Sequence, residues 1–394
     1  MKQRNDWEAA LRVIEKIENA GYEAVIVGGA VRDYLLQRKI NDVDVATSAL
    51  PNEVKKIFSH TIDVGIEHGT VVVLDEGSPI EVTTYRTEGT YTDYRRPDEV
   101  TFVRDLPKDL ERRDFTINAM AFTKDGNIVD LYGGKEDLKN GIIRAVGDPN
   151  ARFREDALRM LRAVRFAAQL GFTIEEKTMK AIQEDSDLIE FIARERIRME
   201  LSKIWVADYV FLGIEALVES NLASYLPGNF AKHLESWRHF RTKKPEVGWA
   251  YLCLLNRSDM EDLFEFYRYS NKEKSFAKKV IHAYDRLLER WDEYDYFSND
   301  LNTLETAYDF AHWLGKKVPF SKEHIGKVKE HLPIQSMDDF ALNGNLLIQW
   351  SGKRGGPWVK EALNKALHAV LTGQVKNDEE QLKEWFYNEF VNER

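Results

Sequence analysis

One cysteine in 394 residues leaves nothing from which to build a disulfide framework. Cys253 lies in the apolar run Trp249-Ala-Tyr-Leu-Cys-Leu-Leu255, so a small buried side chain is expected there rather than a nucleophile. Scarce cysteine fits a reducing compartment, and a cytoplasmic location is expected. No uninterrupted apolar stretch is long enough to span a bilayer, which argues against a membrane role. Met1 to Ala20 carries acids among its apolar residues and spaces Trp7, Leu11, Ile14 and Ile17 helically; it reads as an amphipathic helix, not a signal peptide. Positive charge is not in surplus either. Lysine and arginine total 56 against 66 acids, a net charge of −10, which counts against tight, indiscriminate nucleic-acid binding. Locally the balance reverses. Arg152, Arg154, Arg159, Arg162 and Arg165 are offset only by Glu155 and Asp156, and Arg194, Arg196, Arg198 and Lys203 only by Glu195 and Glu200.

What is present is concentrated near the start of the chain. An apolar run, Tyr22 to Val27, reads as a buried strand. Gly28 and Gly29 follow it, where the backbone can turn tightly and approach a ligand closely. Ala30 to Gln37 has helix-forming character, with amides at its start for a phosphate and Arg32 placed to add a forked contact. Asp42 and Asp44 alternate with Val43 and Val45, so a strand puts both carboxylates on one face and both valines in the core. Two carboxylates on one face suit Mg²⁺, which favours one or two such ligands plus substrate phosphates.

The ordered set Val27-Gly28-Gly29-Ala30-Val31-Arg32-Asp33, then Asp42-Val43-Asp44-Val45, resembles the polymerase-β-like nucleotidyltransferase superfamily. More narrowly, the chain resembles the class II tRNA nucleotidyltransferases (CCA-adding enzymes), a class shared with bacterial poly(A) polymerases. The resemblance is clear from Tyr22 to Lys203 and continues more faintly to the C-terminus. It implies a catalytic head of mixed sheet and helices, followed by an elongated all-α neck, body and tail. Composition agrees: strand candidates (Tyr22–Val27, Asp42–Ala46, Thr70–Leu74, Ile80–Tyr85, Ile142–Ala145) crowd the first 150 residues, and helical periodicity dominates afterwards. An α+β chain is expected, with a head at 1–150, a neck at 151–205 holding the base pocket, a body at 206–280 and a tRNA-contacting tail at 281–394. Of nine tryptophans all but Trp7 follow residue 200, at spacings that suit core anchors. None of the nine histidines is followed by aspartate, so a histidine–aspartate phosphohydrolase domain, seen in some relatives, is not expected.

If Asp42 and Asp44 hold metal, one ion activates a primer 3′-hydroxyl and another clamps the triphosphate. Glu81 is the candidate third acid, with a solvated strand residue the alternative. Tyr85 to Pro107 is polar and aromatic; Tyr94-Arg-Arg-Pro-Asp98 resembles a family loop that reorganises the site between nucleotide choices. Arg112-Arg113-Asp114-Phe115-Thr116-Ile117-Asn118 matches a further family motif, with Asp114 a candidate N-cap for a helix carrying Asn118, and Arg113 in reach of a triphosphate. Arg154 to Phe166 is the sharpest segment. On one helix, Asp156, Arg159 and Arg162 share a side, and Glu155 lies one turn from Arg159.

Arginine only donates and ionised aspartate only accepts. Cytosine and adenine both offer an amino donor beside a ring-nitrogen acceptor, so an Asp156–Arg159 pair suits either. Guanine and uracil oppose like groups to it, and each unpaired group costs about 1–3 kcal/mol in a dry site. Arg162 and Arg165 are expected to reach phosphate or hold the helix to the head, and Arg196 and Glu200 to form an i,i+4 pair supporting the pocket. Gly352-Lys353-Arg354-Gly355-Gly356-Pro357-Trp358 opens a helix that is either a phosphate contact or simply capped.

The expected function is addition of C, C and A to a tRNA 3′ end from CTP and ATP, without a nucleic-acid template, with Mg²⁺ at Asp42 and Asp44. Gly29, Arg32, Arg113, Asp156, Arg159, Arg162 and Arg165 are the expected nucleotide contacts. The alternatives are a CC-adding or A-adding specialist, a poly(A) polymerase, or an RNA-binding scaffold without activity. The oligomeric state stays open, a homodimer included.

Overall fold

The computed structural model describes residues 6–40, 42–65, 69–88 and 100–390. Packing divides the chain into two units, Met1–Pro245 with Phe266–Arg268, and Glu246–Glu265 with Tyr269–Arg394. The first begins with α1 (Asp6–Asn19), β1 (Ala24–Val27), α2 (Gly29–Leu35), β2 (Asp44–Thr47), α3 (Pro51–Ile57), β3 (Thr61–Gly65), β4 (Thr70–Asp75) and β5 (Ser78–Thr84). It continues through β6 (Arg86–Glu88), β7 (Val100–Phe102), α4 (Leu106–Glu111), β8 (Met120–Phe122), β9 (Ile128–Asp130) and α5 (Gly134–Asn140). Seven of these strands form one sheet in the order β3-β4-β5-β2-β1-β8-β9. It is a mixed sheet: β2 and β5 run parallel, while β1 pairs antiparallel with both β2 and β8.

Burial explains the order. Every residue of β1 is buried, as a strand with neighbours on both sides and helices over its faces must be. The amphipathic N-terminal stretch forms α1 and lays Ala9, Ala10, Val13, Ile14 and Ile17 on the sheet. Arg12 and Lys16 on its other side reach the buried Asp75 at 2.8 and 2.7 Å. Their hydrogen bonds hold that carboxyl below the ordinary range, although burial alone would raise it.

The helical part of this unit comprises β10 (Ile142–Ile143), α6 (Pro149–Glu155), α7 (Leu158–Leu170), β11 (Thr173–Ile174), α8 (Glu176–Glu184), α9 (Arg194–Trp205) and α10 (Val210–Glu219). Trp205 and Trp237 stack at 4.9 Å, flanked by Phe230 and Phe240, and all four are fully buried. Helices α11 (Pro245–Leu255) and α12 (Met260–Phe266) follow in the chain.

The second unit adds α13 (Asn271–Glu289), α14 (Glu293–Ser298), α15 (Leu301–Trp313), α16 (Lys322–Glu330), α17 (Gly344–Ser351), α18 (Pro357–Leu371) and α19 (Glu379–Phe390). Ser270 and Glu273 close a capping box at the start of α13. Leu347, Leu367, Leu382 and Phe386 centre its C-terminal core. Trp249, Trp291 and Trp313 are buried anchors, whereas Trp350, Trp358 and Trp385 are only partly covered. Cys253 is buried, and that burial pushes its thiol up to about 12, so it is an inert core residue. No described helix is long and apolar enough to cross a membrane.

One close approach connects fold to site. A Cβ at Gly134, the first residue of α5, would stand 2.3 Å from the Thr116 carbonyl oxygen and 3.0 Å from Met120 Cγ. Thr116 begins the 3₁₀ turn Thr116–Asn118, so α5 seats that turn from behind. Gly134→Ala is expected to cost about 1–3 kcal/mol in denaturant unfolding. Unchanged stability would mean that the contact yields freely.

Candidate active site

The turn after β1 shows why two glycines stand there. Gly28 has φ 71°, a left-handed conformation that L side chains avoid, and a Cβ on it would sit 3.2 Å from Arg113 Nη1. Arg113 Nη2 bonds Asp109 Oδ2 at 3.0 Å, and its buried Nε has no hydrogen-bond partner among the described residues. The guanidinium thus lies against the turn with one buried donor unspent.

Opposite that turn, β2 begins at Asp44, so Asp42 precedes the strand rather than lying in it. The alternation still holds, with Asp42 and Asp44 exposed and Val43 and Val45 buried. Asp44 faces Glu81 across the parallel pairing. Desolvation in the cleft wall raises the Asp44 carboxyl above its ordinary value, Glu81 and Asp42 add to this, and Arg113 opposes it. Such crowding of negative charge is what a bound cation relieves. The pair Asp42 and Asp44 offers the one or two carboxylates that Mg²⁺ takes alongside substrate phosphates.

Arg32 binds Asp33 through two parallel hydrogen bonds, at 2.9 and 3.0 Å, and donates to Asn118 Oδ1 at 2.9 Å. Asn118 in turn donates to Asp114 Oδ1 at 3.2 Å. Asp114 does not cap a helix by its side chain, as the sequence suggests; it accepts from the Phe115 amide and from Asn118, and Phe115 opens the short turn. Its other oxygen takes Arg162, at 2.8 Å from Nε and 2.6 Å from Nη2, which ties α7 to the head. Burial alone would raise this carboxyl, but Arg162 and Asn118 bring it down to about 2. Arg165 pairs with Glu200, which also takes Lys203 at 2.9 Å. Gly29, Arg32, Asp42, Asp44 and Arg165 all line one open cleft of about 500 Å³.

Two further expectations fail in detail. Asp156 and Arg159 do not share a helix: α6 ends at Glu155, and Asp156 is a single extended residue (φ −140°, ψ 102°) before α7. The cause is local, since Asp156 Oδ1 accepts the Leu158 amide at 3.1 Å and so competes with the helical ladder. Nor do Arg196 and Glu200 pair with each other. Arg196 holds Asp156 by two bonds, at 3.2 and 2.8 Å, leaving Glu200 to Arg165 and Lys203. Arg159 is buried, its Nη1 2.6 Å from Glu155 Oε2 and its Nη2 3.0 Å from the Arg112 carbonyl.

Sequence reading missed Asp109, which anchors both Arg112 and Arg113; its three- and four-residue spacing on α4 was the available signal. It also missed Arg38, Lys39 and Lys243, which line the cleft and carry no local pattern. Tyr94–Asp98 lies outside the described residues. At the far end of the chain, Gly352 terminates α17 and Pro357 is the first residue of α18, the capped-start geometry.

A sheet carrying paired acids beside a glycine turn, closed by an arginine-rich helix, defines a nucleotidyltransferase. Family profiles agree: a poly(A) polymerase head domain matches residues 24–144, an RNA- and SrmB-binding site of polymerase A matches 171–231, and tRNA nucleotidyltransferase domain 2 matches 240–386. The chain is 43% identical over 388 residues to the CCA-adding enzyme of Geobacillus kaustophilus, covering 96% of each, and 42% identical over 382 residues to that of Limosilactobacillus reuteri, covering 94% of each. The crystal structure of the Bacillus stearothermophilus CCA-adding enzyme in complex with CTP superposes with a TM-score of 0.87, at 38% identity and 98% coverage of both chains. The chain belongs to the CCA-adding enzyme family.

Asp114 gives a pH signature. Its carboxyl is depressed in the folded state from 3.8 to about 2, so its contribution is fully present above about pH 4 and is lost as pH falls toward 2. Asp114→Asn is expected to destabilise by about 2 kcal/mol at neutral pH, the deficit closing between about pH 4 and 2. Thermal unfolding of both proteins across that range checks it; a deficit independent of pH would rule out the ionised carboxylate as its source.

Proposed function

We propose that the chain adds C, C and A to the 3′ end of tRNA from CTP and ATP, without a nucleic-acid template, in the cytoplasm. The observation that carries this reading is the single cleft in which Gly29 and Arg32, suited to a triphosphate, face the acids Asp42 and Asp44. Residues 1–150 serve as the head, 151–205 as the neck with the base pocket, 206–280 as the body and 281–394 as a tail for the tRNA.

Asp42 and Asp44 would hold Mg²⁺, which when bound lowers the pKa of an attacking hydroxyl and neutralises triphosphate charge. Arg32, Arg113 and Arg165 bind the triphosphate and orient it against those acids. Asp156 and Arg159 read the base. Arg196 fixes the carboxylate of Asp156, and Glu155 with the Arg112 carbonyl fixes the guanidinium of Arg159, so the acceptor and donor are set before a nucleotide arrives. The pair matches the pairing edges of cytosine and adenine and opposes those of guanine and uracil.

The direct test offers Mg²⁺, CTP and ATP to a tRNA lacking its last three nucleotides, with product ends sequenced. Three additions reading C, C, A are expected. Arrest after CC, or A added only to ends bearing CC, would make it a specialist; a long A tail would make it a poly(A) polymerase; no incorporation would leave a scaffold. Asp42→Ala is expected to abolish incorporation while tRNA binding persists, and full activity would remove Asp42 from the chemistry. Arg159→Ala should erase roughly 1–3 kcal/mol of the preference for C and A, about five- to 150-fold, measured in competition with UTP and GTP. Wild-type selectivity in that variant would refute the base-reading role.

A further inference from the structure

The ring of Phe166, on α7, is 3% exposed, and three guanidinium groups converge on it. Arg165 lies 4.1 Å from its centroid, Arg32 5.2 Å and Arg162 5.6 Å. Phe115 packs edge-on against the same ring at 5.7 Å, so the ring is held by the segment that carries Asp114. The three cations come from two parts of the fold, Arg32 from α2 and the other two from α7. Each already has one carboxylate: Asp33 for Arg32, Asp114 for Arg162, Glu200 for Arg165.

Three like charges around one point repel. Arg165 is held below its ordinary range first by burial, with Arg162 adding to the shift and Glu200 opposing it. A further carboxylate would relieve the repulsion but would also cancel the positive field that a triphosphate needs. An aromatic face attracts cations without bringing net charge. Two of the three arginines, Arg32 and Arg165, line the cleft beside Asp42 and Asp44.

We propose that Phe166 is the positioning residue of the triphosphate site, its π face holding Arg32, Arg162 and Arg165 together while leaving their charge to the ligand. The proposal rests on the nucleotidyl-transfer reading above. Phe166 is buried and is not among the residues lining the cleft, so it governs affinity for the phosphates and leaves base choice and the transfer step alone.

The test keeps the ring's shape and removes its quadrupole. Phe166 is replaced in the full chain by mono-, di- and trifluorophenylalanine, and separately by Tyr and by Leu. CTP and cytidine binding are measured by calorimetry, with KM and kcat for CTP on truncated tRNA. CTP binding is expected to weaken stepwise with fluorine count, by about 3- to 30-fold across the series. KM should follow, with kcat and cytidine affinity unchanged, and Phe166→Tyr should keep wild-type affinity. A flat fluorine series, with only Phe166→Leu impaired, would show that the ring acts through volume and would overturn the proposal. If the wild type bound no CTP, the nucleotidyl-transfer reading itself would fall, an outcome distinct from a flat series on a protein that binds CTP.

Discussion

The buried carboxylate of Asp114 is the charge on which both walls of the cleft depend. A carboxylate taken out of water costs several kcal/mol unless its lone pairs are used, and here they are used in two directions. One oxygen accepts from the Phe115 amide and from Asn118, whose own oxygen receives Arg32. The other receives Arg162 from α7. Asp114 therefore sets the position of the arginine beside the glycine turn and of the helix that closes the cleft. The glycine at position 134 belongs to the same constraint, because α5 can reach the back of the Thr116–Asn118 turn only where a side chain is missing.

Around this hub the cleft separates charge by sign. On the sheet side burial, Glu81 and Asp42 raise the cost of ionising Asp44, while arginines crowd the helical side. Each set is unfavourable alone. On the reading proposed here, a nucleoside triphosphate with Mg²⁺ would supply partners to both at once, its anionic oxygens for the guanidiniums and its cation for the carboxylates. On that reading the repulsion within each set favours the ligand, and it is limited because Asp33, Asp114 and Glu200 each neutralise one arginine. The overall charge of −10 carries no information about this, since the relevant positive charge is local.

What was legible in the sequence was whatever local periodicity encodes. Alternation exposed the acids of Asp42-Val43-Asp44-Val45 before any fold was known, and Gly28 betrayed a turn that only a residue without Cβ can make. The shift from strands to helices near residue 150 was equally plain. Ion-pair partners were not. The i,i+4 rule assigned Arg196 to Glu200, a pairing worth only about 0.2–0.5 kcal/mol on an exposed helix. Folding brought Asp156 and Arg165 within reach, and half-buried pairs with better geometry took over. The break at Asp156 was hidden for a related reason: no proline or glycine marks it, only an aspartate able to bond the amide two residues on.

That break has a consequence for base selection on the reading proposed here. Had Asp156 stayed in a continuous helix, its side chain would have followed the helical spiral with Arg159, and neither would have been anchored from outside. As an extended residue it points to Arg196 on α9, while Arg159 is tied to Glu155 at the end of α6 and to the Arg112 carbonyl in the head. The acceptor and the donor are thus fixed by different elements, and their separation is set by packing rather than by helical geometry. A rigid pair of that kind excludes guanine and uracil effectively, because a mismatched group finds no side chain free to turn toward it. The same rigidity gives it little means of telling cytosine from adenine, which offer it the same sequence of groups. Choice between the two has to come from the room left around the base, a pyrimidine or a purine filling it differently.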